Sequence, residues 1–358
     1  MERLRKRRVL STKKTKKGRF NRIFSAAGLS VGAVILVYLT VYVVRTMDLR
    51  ALLRQVRPLW LVGAALCIPV SESIDALIFY GMGRSAGCPV RLAGCFDATF
   101  IGEFYYKLGP AGAPVQLKLM YDAGMPATNT ASIYIWKMVA NIMLYTIFGV
   151  VALIYHLVFR HASLSGGVLV GMIFIIALCL FGCAMALLMA VRPAPLLRLI
   201  RRILTALSRK VKYLGREGKL DAAMRKVEEF AGQLSSLKGN TRLFAWLYVG
   251  MALELAALFS VPYFLYHGLG LQGESFLGMF LLQAMVMMIS RLVMLPGNVG
   301  GAEGSFYLFM GPVFGEHLAV GLVLWRLTAF LEVMLLGGVW SVIRFAKRSA
   351  AGRKEHPA

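Results

Sequence analysis

Arg291-Leu-Val-Met-Leu-Pro296-Gly297-Asn298-Val-Gly300-Gly301-Ala-Glu303-Gly304-Ser-Phe-Tyr-Leu-Phe is the stretch on which the reading of this chain turns. It lies inside an apolar C-terminal region. Yet four glycines, a proline, an Asn and a Glu fall within nine of its residues, and such a run cannot continue a helix. Irregular backbone facing hydrocarbon would leave N–H and C=O groups unpaired at a cost of several kcal/mol each. The break therefore predicts either a water-facing loop or a re-entrant element sheltered by protein at a transport site.

Working outward, the chain has 358 residues, of which 58% are hydrophobic, with a mean hydropathy of +0.66. Several apolar runs exceed the length that spans a bilayer as a helix. The fold class is an all-α polytopic membrane protein. The net charge is +24, but the basic residues flank the spans, where they orient helices and attract anionic lipid. That placement argues against nucleic acid as a partner. Cys67, Cys88, Cys95, Cys179 and Cys183 form no CxxC pair and read as small buried hydrophobes rather than metal ligands or disulfides. The histidines lack metal spacing, and no nucleotide loop or catalytic triad appears. Neither a catalytic site nor a cofactor is expected.

Residues 1–22 hold eleven Lys/Arg against the single acid Glu2 and predict a cytoplasmic tail. Spans are expected at about 24–44, 59–82, 132–155, 166–191, 243–266 and 317–345. Residues 192–242 carry thirteen Lys/Arg against four acids, with Leu196, Leu197, Ile200, Ile203, Leu204 and Leu207 at helical spacing. They predict an amphipathic helical hairpin on the anionic cytoplasmic leaflet. The tail 346–358 is basic and also expected inside.

These placements close on six full spans if two Pro/Gly-broken segments each enter and leave on one side, 92–123 from the cytoplasm and 274–316 from outside. The chain then reads twice, as repeats 23–156 and 165–345. Each has two spans, a broken hairpin and one span, and the second starts on the opposite side. That is an inverted repeat, the plan of many transporters. Side chains recur in the same order. Glu72 precedes Pro110 and Glu254 precedes Pro296, while Trp136-Lys137 and Trp325-Arg326 follow the respective breaks.

A cation near a membrane-helix centre costs about 2.5–3.5 kcal/mol on insertion scales, so Lys137, Arg326 and Arg291 must face partners, a cavity or an anionic ligand. Two readings stand open. The cations pair internally with Glu72, Asp75, Glu103 or Glu254; or Lys137 and Arg326, one per half, hold a phosphate in a central cavity. In the second reading, helices restarting after Gly112 and Gly301 aim N–H groups at the same place. Glu303 either caps its helix or binds a proton, a coupling cation or an amine headgroup. Gln116 either bonds a headgroup or caps its own break.

At these residues the sequence resembles the membrane region of the lysylphosphatidylglycerol synthase/flippase family, which includes the multiple peptide resistance factor proteins. The likeness rests on Gly109-Pro110-Ala-Gly112-Ala-Pro114-Val-Gln116, on Leu295-Pro296-Gly297-Asn298-Val-Gly300-Gly301-Ala-Glu303-Gly304 and on Trp325-Arg326, and it covers most of 25–345. Ala113 departs from the family's commoner Pro-x-x-x-Gly-Gly form. The resemblance implies movement of aminoacylated or other anionic lipids between leaflets of a bacterial plasma membrane, in a setting of antimicrobial-peptide resistance. It also implies that the soluble aminoacylating domain of larger relatives is absent here, because the chain ends soon after the last span.

The expected function is therefore a flippase-like protein for a phospholipid or polyprenyl-phosphate lipid. Its headgroup site would draw on Pro110, Gly112, Gln116, Lys137, Pro296, Gly297, Gly300, Gly301, Glu303 and Arg326, with Glu72, Asp75, Glu103, Glu254 and Arg291 as supporting charges. Two alternatives remain: a membrane component of lysyl or glycosyl transfer to lipid, and a scaffold for a lipid-synthesis protein partner.

Overall fold

The structure is a computed structural model that describes residues 56–108, 112–159, 166–210, 219–290 and 300–355. The basic tail 1–22, the expected span 24–44, Pro110, Arg291, Pro296 and Gly297 lie outside the described residues.

Among the described residues the chain is helical and has no strand. In order, α1 is Pro58–Ser85, α2 Leu92–Leu108, α3 Gly112–Asp122, α4 Ala127–Val158, α5 Gly166–Val191, α6 Pro193–Lys210, α7 Lys219–Ser236, α8 Thr241–Gly268, α9 Phe276–Ser290 and α10 Gly301–Phe314. A 3₁₀ turn over Gly315–His317 leads to α11, Leu318–Arg326, then a π-helical segment, Leu327–Glu332, and α12, Val333–Glu355. Helix α12 thus runs on through most of the expected basic tail.

Helices α1, α4, α5 and α8 and the run Gly301–Arg344 are long and apolar enough to cross a membrane. Helix α5 shows the environment most plainly. Val170, Phe174 and Phe181 are each more than 60% exposed, an arrangement that costs free energy in water and none in lipid. The chain is a multi-pass α-helical membrane protein.

The two broken segments fold as pairs of short helices. Helix α2 has 17 residues and α3 has 11; α9 has 15 and α10 has 14. At about 1.5 Å per residue none reaches the thickness of a bilayer core of about 30 Å. The ends of the first pair meet, for Arg91 N–H donates to the Ala123 carbonyl at 3.0 Å and the Arg91 guanidinium to the Asp122 carbonyl at 2.7 Å. In the second pair α9 and α10 pack on each other. Gly315 then ends α10 with φ +52° and ψ −127°, a conformation a side chain would strain.

The chain forms two compact units. The first contains the described residues of Met1–Ser73, Phe96–Lys118 and Glu254–Ala358; the second contains those of Ile74–Cys95 and Leu119–Leu253. Helices α1 and α8 run antiparallel within each. In the first unit Arg57 N–H donates to the Gly268 carbonyl at 2.8 Å, and Gly63 faces the Phe264 ring where a Cβ would come within 2.6 Å. In the second, Asn240 Nδ2 donates to the Ser85 carbonyl at 2.8 Å and Gly81 accepts the face of Trp246. Small residues allow this close approach where lipid offers no hydrophobic drive for association.

The 192–242 segment contains two helices, α6 and α7, that pack on each other. Helix α7 docks against α4 and α5, burying Met224 and Ala231, with Leu237 buried just past its end, and Ser235 Oγ donates to the Ala190 carbonyl at 3.3 Å. Helix α6 buries Leu196 but leaves Leu199 and Ile203 about half exposed beside Arg198, Arg201 and Arg202. Its apolar face fits an interfacial position.

Candidate functional site

The first unit brings both breaks onto one turn. Helix α10 restarts at Gly301 after Gly300, whose φ of +84° suits glycine. The Gly300 N–H donates to Glu303 Oε2 at 2.6 Å, so Glu303 closes the N-terminus of α10 from its third position. The other carboxylate oxygen, Oε1, lies 2.6 Å from Arg326 Nη2, with the side chains only 14% and 11% exposed. One carboxylate thus caps a helix and neutralises a cation at once. The first-turn N–H groups of Gly301 and Ala302 find no acceptor among the described residues, as a helix start leaves them by geometry.

The neighbour of Arg326 holds the turn in place. Trp325, 3% exposed, stacks on the fully buried Phe306 of α10 at 4.9 Å. The guanidinium carbon of Arg326 lies 5.6 Å from the Trp325 ring, within cation–π range.

From the other break, Lys107 in the last turn of α2 donates from Nζ to the Ala329 carbonyl at 3.3 Å. Ala329 belongs to the π-helical segment that begins right after Arg326. π-Helical turns occur frequently at functional sites. So Glu303, at the start of α10, and Lys107, at the end of α2, both reach the same turn, 326–329.

On α3, Gln116 is 5% exposed and packs on Gly102, where a Cβ would lie 3.0–3.2 Å from its Cβ, Cγ and Cδ. Its Nε2 has no hydrogen-bond partner among the described residues. A buried donor left unmet costs about 1–3 kcal/mol, so the position calls for an acceptor oxygen. Gly112 begins α3 pressed against the backbone of Tyr106, where a Cβ would come within 2.6 Å of its nitrogen; only glycine fits there.

Helix α2 is fixed to α12 by a cluster that sequence reading did not single out. Asp97 accepts from Trp340 Nε1 at 2.9 Å on one oxygen and pairs with Arg344 at 2.7 Å on the other. Phe100 stacks on Trp340 at 4.9 Å, and Gly337 lies against the Phe100 carbonyl. Asp97 and Arg344 are far apart in the chain, and nothing local in either marks the pairing.

The second unit holds the other expected cation. Lys137 pairs with Asp75, which is 3% exposed, and its ammonium lies 4.6 Å from the centre of the Phe79 ring. Trp136 meets Phe244 edge to face at 4.8 Å. Both Trp–cation pairs therefore follow one pattern, in which the indole packs on a phenylalanine and the cation finds a carboxylate. Lys137 and Arg326 belong to different units. Of the supporting charges, Asp75 takes the internal-pair role, while Glu72, Glu103 and Glu254 are partly buried and have partners of their own. Arg326 has Glu303 as a partner, a pairing that was not among the expected ones. No group of three or more potential metal ligands occurs among the described residues.

A protein-family model described as the lysylphosphatidylglycerol synthase TM region matches residues 25–337, a span that contains both breaks and the Trp325-Arg326 turn. No match was found among curated proteins.

Proposed function

Since the chain belongs to the lysylphosphatidylglycerol synthase TM-region family, we propose that it moves an anionic phospholipid between leaflets, the headgroup phosphate being taken by Arg326 and Lys107. The observation that carries this reading is the convergence of Glu303 and Lys107 on the turn 326–329. Two cations and the first-turn N–H groups of α10 suit a phosphate. The guanidinium fork offers two parallel donors, and Lys107 adds a point charge.

Glu303 sets the terms of occupancy. A phosphate that takes Arg326 must draw it from Glu303, which then turns to an ammonium group. A headgroup bearing both charges, as an aminoacylated phosphatidylglycerol does, satisfies both halves of the opened pair. A headgroup with phosphate alone leaves Glu303 with the Gly300 N–H. The Gln116 amide supplies a further donor for an ester or hydroxyl oxygen, while the acyl chains stay in lipid.

The order long helix, broken pair, long helix occurs in α1–α4 and again in α8–α12. With α1 and α8 antiparallel, it supports an inverted repeat, with the protein in a bacterial plasma membrane and both basic tails cytoplasmic. In this reading Lys137–Asp75 is an internal ion pair of the scaffold.

Reconstitution in vesicles with a fluorescent anionic phospholipid tests the proposal. Arg326→Ala is expected to slow translocation roughly ten- to hundredfold, from the loss of about 1.5–3 kcal/mol of charged hydrogen bonding; an unchanged rate in folded protein would refute it. The family's name favours a second reading, a membrane component of lysyl transfer to lipid. A lysylated lipid formed by purified protein from aminoacyl-tRNA would support that instead.

A further inference from the structure

The run Leu318–Ile343 carries two charged residues, Arg326 and Glu332. Arg326 has its carboxylate. Glu332, the last residue of the π-helical segment, is half-buried and has no hydrogen bond or ion pair among the described residues. It lies near the middle of the run, on the order of 20 Å along the helix from either end at about 1.5 Å per residue. An ionised carboxylate at such depth without a partner is among the more costly arrangements in a protein, and it is relieved by taking up a proton.

Among the described residues, groups near this turn include Cys67 on α1, which lies within electrostatic reach of the Glu332 carboxylate, Lys107 on α2 with Glu103 one helical turn before it, Arg326 at the end of α11 and Glu303 on α10. Lys107 is directed to the Ala329 carbonyl and Arg326 to Glu303. Cys67 is a neutral thiol that gives its hydrogen bond to the Gly63 carbonyl at 3.2 Å. Metal coordination needs several ligands, and no such group occurs here among the described residues. A lone carboxyl suits a proton.

We propose that Glu332 is a proton-binding site coupled to headgroup occupancy of the turn 326–329. The coupling, which rests on the function proposed above, is electrostatic. A phosphate arriving at Arg326 and Lys107 brings negative charge within two helical turns of Glu332 and strengthens its hold on a proton. By linkage, the protonated carboxyl favours phosphate binding by the same factor. Proton and lipid therefore load together, and a pH gradient can drive the lipid.

Dicyclohexylcarbodiimide, which attacks protonated carboxyls in apolar surroundings, tests the site on the full chain in anionic-lipid nanodiscs, with peptide mass spectrometry to locate the adduct. Glu332 is expected to be modified at pH 6 and spared at pH 9, and the ion-paired Glu303 to be spared at both. An unmodified Glu332 at pH 6, or equal modification at both pH values, would overturn the assignment. Coupling is read separately, as the ratio of translocation rates with and without an imposed pH gradient. Glu332→Gln is expected to bring that ratio to one, and Glu332→Asp to keep it above one. A ratio in Glu332→Gln equal to that of the unaltered protein would overturn the coupling. Failure of the unaltered protein to translocate at all would refute the transport reading, while the labelling would still decide the proton site.

Discussion

Glu303 and Arg326 meet at 2.6 Å across two separate helices, and the same Glu303 carboxylate accepts the Gly300 N–H at 2.6 Å. The cation of the last span is therefore tied to the second break, and whatever displaces one partner alters the start of α10. A buried pair of this kind is worth little as a pair, yet removal of one member leaves the other uncompensated, at about 3–5 kcal/mol. Arg326→Gln and Glu303→Gln are each expected to lower the thermal midpoint in detergent. The double variant is expected to be more stable than the sum of the two losses allows. A double-mutant cycle on purified protein checks this, and strictly additive losses would mean that the two side chains do not interact.

Lys137–Asp75 provides the contrast. Lys137→Met and Asp75→Leu are each expected to destabilise by about 3 kcal/mol, and the double variant to recover most of the loss, because a well-packed apolar pair replaces a buried ionic one at little cost. If this pair is scaffold, the double variant translocates lipid at close to the normal rate. A large loss of rate in stable double-variant protein would return Lys137 to the headgroup site.

Gly337 lies against the Phe100 carbonyl, with the Phe104 Cβ 2.6 Å from where a side chain would begin. Backbone cannot yield as a flexible side chain can. Gly337→Val is expected to cost about 1–3 kcal/mol by prising α2 from α12, and to expose Trp340 and Lys107 together. The readouts are the thermal midpoint and Trp340 fluorescence; no change in either would show that the contact is slack.

Helix α6 should behave as an interfacial element. A peptide of residues 193–210 is expected to be largely unfolded in buffer and helical on vesicles rich in phosphatidylglycerol. Arg198→Glu, Arg201→Glu and Arg202→Glu together should weaken binding by about 1 kcal/mol or more per charge. Circular dichroism with a lipid titration measures it. Equal helicity on neutral and anionic vesicles would remove the electrostatic part of the argument.

The chain yielded its class and its breaks readily because both follow from the hydrocarbon itself. Long apolar runs must be helices, and Pro296–Gly304 cannot continue one. Lys137 and Arg326 stood out for the same reason, since a cation in a span needs an explanation. Their partners were less legible. Asp75 is among the acids the sequence offers Lys137, but Glu303 reads in sequence as a cap or ligand site, and only the turn at Gly315 brings it back to Arg326. Lys107 sat in plain view beside the first break. Its target is a backbone carbonyl, and sequence carries no sign of such a bond. Asp97–Trp340–Arg344 joins residues from opposite ends of the chain. Glu332 obeys the very rule that exposed Arg326, and it could have been found by applying that rule to acids as well as to cations.

Whether the turn 326–329 holds a lipid phosphate is seen in a structure of the protein with a bound anionic phospholipid. The phosphate is expected within hydrogen-bonding distance of Arg326 and Lys107, with Glu303 drawn off Arg326. A phosphate bound elsewhere, with the Glu303–Arg326 pair still closed, would contradict it.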